Sequence, residues 1–287
     1  MPNVTVGEAL GQSFRFIGTA WRRAWGIMLI SVWLAGTLQA IQGLRPEWIG
    51  FVVPLSLLLN AIVGTAVIGA LFRIGIEPFH SGDPAFQAAP TGLQWGGLEF
   101  RVLGSNILIG VIFGGVAVVF AIVWLIIFSV MAQGDSANLS ALEGSNSAAS
   151  GQALLHILAG PAGIVSMVLF LVLTVGFFYF AARLLVFNLL AADTGSFSLA
   201  RAWAMTRGAV TPIILTLIIF GLLQGLVYLI GLIVLGGAAA SGQGVFWGAV
   251  VISVVTGAII APLSIGLQIY VYNARRSGDA GIAATFS

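Results

Sequence analysis

Long uncharged apolar runs alternate along this chain with short stretches that carry arginine, tryptophan, glycine and proline. About 20 apolar residues are what a helix needs to cross roughly 30 Å of hydrocarbon. Ala24 to Ile41, Trp48 to Phe72 and Ile107 to Met131 each meet that length. Ala153 to Ala192 is too long for one crossing, because about forty helical residues reach roughly 60 Å. Gly160-Pro161 is the natural break there, so a fourth span starts near Ala162. Thr211 to Leu235 and Val245 to Asn273 complete six spans. The connections are short: Gln42 to Glu47 with Arg45-Pro46, a Glu77-Pro78 stop, and the small-residue turn Gly236 to Gly244. Gln133 to Gln152 reads as a mobile polar loop with Asp135 and Glu143, and residues 277–287 read as a disordered tail.

A second pattern precedes alternate spans. Thr5-Val6-Gly7-Glu8 has the spacing of a capping box. Leu10, Phe14, Ile17 and Trp21 then recur at helical intervals beside Arg15, Arg22 and Arg23. Leu93 to Leu103 carries Trp95, Glu99 and Arg101, and the segment after Ser196 carries Leu199, Arg201, Trp203 and Arg207. Such segments predict amphipathic helices lying at the membrane surface. The fold expected is therefore all-α and polytopic: six transmembrane helices as three hairpins, each preceded by an interfacial helix. It forms one membrane domain over residues 1–276, with repeat-like units near 5–77, 93–192 and 196–276. Hairpins with interfacial anchors also look alike without any repeat. Small residues four apart, Ala61/Thr65/Gly69, Gly110/Gly114 and Gly221/Gly225, mark faces where helices approach closely.

Composition agrees: 59% of residues are hydrophobic and 7% charged, with a mean hydropathy of +1.09, against about a quarter charged in soluble domains. All 11 basic residues are arginine. With both termini cytoplasmic, Arg15, Arg22, Arg23, Arg73, Arg101, Arg183, Arg201, Arg207, Arg275 and Arg276 fall inside and Arg45 outside, as the positive-inside rule demands. The net charge of +2 gives nucleic acid nothing to bind, and the lack of cysteine removes disulfide and thiolate chemistry.

Catalytic and metal motifs are missing from the pattern. His80 and His156 fall on opposite sides of the membrane by this topology, and His80, Ser81 and Asp83 resemble a triad in composition alone. No cofactor is expected. The spans carry no mid-membrane carboxylate for ion coupling, and Asn60, Gln224, Tyr228 and Gln268 suit interhelical hydrogen bonds. The charged residues gather instead at one membrane level: Arg73, Glu77, Glu99, Arg101, Arg183, Asp193, Arg201, Trp203 and Arg207. They either anchor the protein or form a lipid-headgroup or partner-binding surface. Arg183 lies inside the end of the fourth span, where a guanidinium needs a partner; Glu77, Glu99 or a lipid phosphate is expected.

Arg183, Asp193-Thr194-Gly195, Leu199-Ala200-Arg201-Ala202-Trp203 and Thr206-Arg207-Gly208, in that order, resemble the membrane domain of the glycerophosphoryl diester phosphodiesterase family and related bacterial inner-membrane proteins. The likeness rests on Arg183, Asp193, Gly195, Trp203, Thr206 and Gly208. It departs at Ala202, where serine is commoner, at Met205 for leucine, and at Ala191-Ala192, where proline is frequent. It covers about 30 residues closely and implies fold and membrane location more than activity, since the family's catalytic barrel has no counterpart here. The function expected is that of a non-enzymatic bacterial inner-membrane protein that interacts with phospholipids or joins a membrane assembly, with a membrane-protein partner or a second copy of itself. A small permease or exporter of an amphipathic solute is the alternative.

Overall fold

The computed structural model describes residues 4–44, 48–80, 82–132, 160–237, 248 and 251–286. Its elements are α1 (Val6–Leu44), α2 (Ile49–Ile76), α3 (Gly97–Ala132), α4 (Pro161–Leu184), α5 (Phe187–Thr194), α6 (Leu199–Met205), α7 (Val210–Gly237) and α8 (Ala261–Phe286). Two 3₁₀ turns, Glu77–Phe79 and Pro84–Phe86, lie between α2 and α3. A π-helical turn, Thr256–Ile260, leads into α8. The described residues contain no strand. Among the described residues, five stretches are long and apolar enough to cross a membrane: Ile49–Phe79, Gly97–Ile126, Gly163–Thr194, Val210–Gly231 and Val251–Arg276. The chain is a multi-pass, all-helical membrane protein.

The chain falls into two compact units, Met1–Asn106 with Ala182–Ser287, and Ile107–Ala181. Within the second, Phe113 and Phe177 meet edge to face with centroids 5.1 Å apart. Val111, Val119, Ile122, Met167, Phe170 and Leu171 there are well exposed, a surface suited to lipid rather than water.

The first unit is organised on the seam between α1 and α8. The two run antiparallel: Glu8 accepts a hydrogen bond from the Tyr270 hydroxyl at 2.9 Å, Ser13 and Phe16 lie against Gly266, and the Trp21 indole reaches Ala258. A side chain at position 266 would come within 3.0 Å of both Ser13 Cα and Phe16 Cβ, so glycine sets how closely the helices approach. The opening half of α1 buries Ala9, Ser13, Ala20 and Ala24, small residues that admit a neighbouring backbone, and the second half buries Ile27, Met28 and Leu38.

Pro262 explains the π turn. It has no N–H to give to the carbonyl four residues back, that of Ala258, and the helix widens there. Trp21 Nε1 donates to that freed oxygen at 2.8 Å. Gln224 on α7 donates to Thr256 Oγ1 at 3.0 Å, which ties a third helix to the same turn.

The three expected interfacial segments take three different forms. The first is the opening half of α1, continuous with the apolar run across a kink at Ala24 (φ −132°, ψ 25°) and packed along α8 rather than standing apart. Its apolar stripe is only partly on the packed face: Phe14 is 49% exposed, while Trp21 is held on the seam by Ala258. The second is not separate: α3 runs unbroken for 36 residues from Gly97, because nothing between Glu99 and Ile107 interrupts helical hydrogen bonding. The third is a helix of its own, α6. A further correction concerns the C-terminus, where α8 continues to Phe286 through the helix-favouring Ala280, Ala283 and Ala284. Arg45, Asp135, Glu143, His156 and the 133–152 loop lie outside the described residues.

Candidate functional site at the charged ends of the helices

The fourth span does not continue as one helix to Ala192. It breaks at Leu185-Val186, and the eight-residue α5 resumes almost wholly buried. The break leaves the Arg183 carbonyl available, and it accepts from Thr206 Oγ1 at 3.1 Å. The Arg183 guanidinium lies 4.8 Å over the Trp203 ring and donates to the Trp203 carbonyl at 3.4 Å. Cation–π stacking of this kind helps to hold a guanidinium near the membrane. Arg183, Trp203 and Thr206 thus clamp α6 onto the end of α4. The Ser198 hydroxyl caps α6, accepting from the Arg201 amide at 3.2 Å.

Asp193 sits one residue before the end of α5, where Gly195 (φ 70°) closes the helix in the left-handed conformation. Its side chain is 2% exposed. His80 Nε2 lies 2.5 Å from Oδ1, while Oδ2 accepts from the Tyr272 hydroxyl and from Arg276 Nη1, the latter at 2.8 Å. His80 is held flat against Phe86, ring centroids 3.9 Å apart, and the Arg276 guanidinium lies 4.8 Å over the Phe79 ring. One buried carboxylate therefore joins the loop after α2, the end of α5 and the end of the last span.

The other two acids at this level are also paired. Glu99, completely buried in the first turn of α3, accepts from Arg73 Nη2 at 2.7 Å and from the Gly96 amide at 2.8 Å. Glu77 accepts from Arg23 Nη2 at 2.5 Å. Arg101 donates to the Ala192 carbonyl at 3.3 Å. The expectation that Arg183 pairs with Glu77 or Glu99 is thereby corrected. Both acids hold other arginines, and an aromatic face takes the guanidinium.

The structure brings Arg73, Glu99, Glu77, Arg101, Arg183, Asp193 and Trp203 into these contacts. It leaves Arg201 and Arg207 exposed, with no side-chain hydrogen bond or ion pair among the described residues. Sequence reasoning missed Arg23, Tyr272 and Arg276, and it treated His80 as an idle loop residue. The available signal was Asp193 itself, a carboxylate closing the apolar run Leu189–Ala192, which must find donors wherever the fold buries it. Two grooves open at this end. One of about 430 Å³ lies between α1 and α8, and one of about 410 Å³ is lined by Arg73, Asp83, Phe86, Gln94, Trp95 and Arg101.

No family model, no curated protein and no solved structure matches this chain. Its chemistry rests on its own residues. With three donors on Asp193, the carboxylate is fully engaged as an acceptor, and His80 Nε2 is committed to it. Arg15, Arg201 and Arg207 form no ion pair among the described residues, although the Arg201 charge is felt at the Tyr272 hydroxyl beside Asp193. Such groups bind anions.

Proposed function

We propose that this protein is a non-enzymatic component of the bacterial inner membrane that binds anionic phospholipid at its arginine-bearing end, which faces the cytoplasm. The observation that carries this reading is the charge imbalance at that end. Glu77, Glu99 and Asp193 are each matched by one arginine, while Arg15, Arg201 and Arg207 are not. Anionic headgroups attract basic side chains at the membrane surface, worth about 1 kcal/mol each. Six crossings are part of the proposal, with the second half of α1 supplying the sixth. Glu8 beside Tyr270 supports termini on one side. Kinship with the phosphodiesterase membrane domains is proposed too, supported by defined roles for the shared residues: the Arg183–Trp203–Thr206 clamp, the acceptor Asp193 and the left-handed Gly195 and Gly208.

Both grooves lie at the charged end, and Gln224 among the deeper polar residues is spent on an interhelical bond, so the lipid-binding reading is favoured over a permease. Native mass spectrometry of the protein from gentle detergent tests it. Retained phosphatidylglycerol or cardiolipin is the expected result; a bare protein, or one that keeps neutral lipid equally, would overturn it.

A further inference from the structure

Resting on that lipid-binding reading, we infer that the groove between α1 and α8 is the specific seat of one anionic phospholipid, its phosphate held by Arg15. Gln12, Arg15 and Thr19 fall at i, i+3 and i+7 on α1 and present a polar stripe to the groove. Tyr270 and Asn273 face them from α8, and Phe16, Gly266 and Ile269 supply an apolar floor. The volume of about 430 Å³ falls within the range of small-ligand sites.

Position along α8 gives the groove a direction. Asn273 and Ala274 adjoin Arg275-Arg276, where the last span ends, and Ile269 and Gly266 lie one and two turns further into it. In the register of the seam Arg15 stands near Gly266, next to Phe16, so a phosphate on its guanidinium has Phe16 and Ile269 beside it for an acyl chain. This amphipathic arrangement selects a phospholipid over a free phosphate. Arg15 is exposed and makes no side-chain hydrogen bond or ion pair among the described residues, so its charge is available. The acid in this neighbourhood, Glu8, is occupied by Thr5 Oγ1 and the Tyr270 hydroxyl. The second groove is a poorer candidate for an anion, because Asp83 lines it beside Arg73 and Arg101, and Glu99 already neutralises Arg73.

The experiment compares the parent protein with Arg15→Gln, Ala274→Trp and Arg101→Gln by native mass spectrometry. The micelles contain equal phosphatidylglycerol and phosphatidylcholine, and thermal unfolding confirms that each variant is folded. The parent is expected to retain one phosphatidylglycerol. Arg15→Gln, which removes the cation, and Ala274→Trp, which fills the groove, should each lower the bound fraction about tenfold, the loss expected of one charge-assisted contact. Arg101→Gln, whose guanidinium donates to the Ala192 carbonyl away from this groove, should leave it unchanged. Retention by Arg15→Gln and Ala274→Trp, or an equal loss in Arg101→Gln, would sink this site while leaving the broader lipid-binding reading intact. A parent without anionic lipid would sink both. Displacement of the bound lipid by millimolar glycerol phosphate would overturn the requirement for an acyl chain.

Discussion

Glu99 and Arg73 form the most deeply buried ion pair of the arginine-bearing end among the described residues, with side chains 0% and 7% exposed. The second oxygen of the carboxylate and Arg73 Nε have no partner among the described residues, so the pair is held by few bonds in a poorly solvated place. Breaking such a pair from one side is costlier than removing both charges. Glu99→Gln alone is expected to destabilise the protein by roughly 3–5 kcal/mol, with Arg73→Met/Glu99→Gln recovering most of the loss. Thermal unfolding in detergent checks this, and a double variant no better than the single one would contradict it. Asp193→Ala should cost a similar roughly 3–5 kcal/mol, since it strands three donors. Arg276→Leu should cost less, because Arg276 is 32% exposed, but it should not be silent. An unchanged unfolding temperature in Arg276→Leu would remove Arg276 from the Asp193 cluster. Read as sequence alone, Arg276 is one more basic residue after a span; its partner lies 83 residues away, where no local pattern points.

Among the elements, the π turn before α8 allows a sharp test. The Ala258 carbonyl accepts from Trp21 and receives nothing from Pro262. Trp21→Phe should therefore destabilise the protein by about 1 kcal/mol or somewhat more, the worth of a hydrogen bond whose loss strands an acceptor. In a Pro262→Ala background the restored N–H can serve Ala258, so Trp21→Phe should cost clearly less. Additive effects in this double-mutant cycle would mean that the indole does not compensate for the proline. The apolar lengths of the elements are legible in the sequence, because crossing hydrocarbon demands about 20 apolar residues wherever they occur. What each helix packs against is not. The stripe Leu10/Phe14/Ile17/Trp21 looked like the working face of the first segment, yet Ala9, Ser13, Ala20 and Ala24 are what the opening half of α1 buries. Large apolar residues announce lipid as readily as protein, and small ones carry little hydropathy signal. The break at Leu185-Val186 was equally hidden, since no glycine or proline marks it.

For the whole molecule, the testable statement is the number and sense of the crossings. The pairs Arg23–Glu77, Arg73–Glu99 and Arg276–Asp193 gather the ends of several helices, and the proposed six crossings with both termini together are what a reporter can test. A reporter active only in the periplasm should work when fused after Ser140 and fail after Gly82 or Gly278. Activity after Gly82 would invert the arrangement. The level at which the charges meet was readable from arginine placement, because the positive-inside bias is a property of residue order. Which arginine meets which acid depends on helix rotation and spacing, and those are set by glycines such as Gly266, whose role is visible in contact alone.

The seam between the first and last helices also sets a clock. Trp21 and its acceptor Ala258 are 237 residues apart, and at a synthesis rate of about 5–20 residues per second the partner arrives roughly 10–50 s after α1 has entered the membrane. During that interval α1 holds a small-residue face with no α8 to cover it. The newborn helix must shelter that face against lipid or the insertion machinery until α8 has been made. Closure of this seam thus waits on the synthesis of α8, and a chain stalled before it leaves that side of α1 uncovered while α2 holds the other.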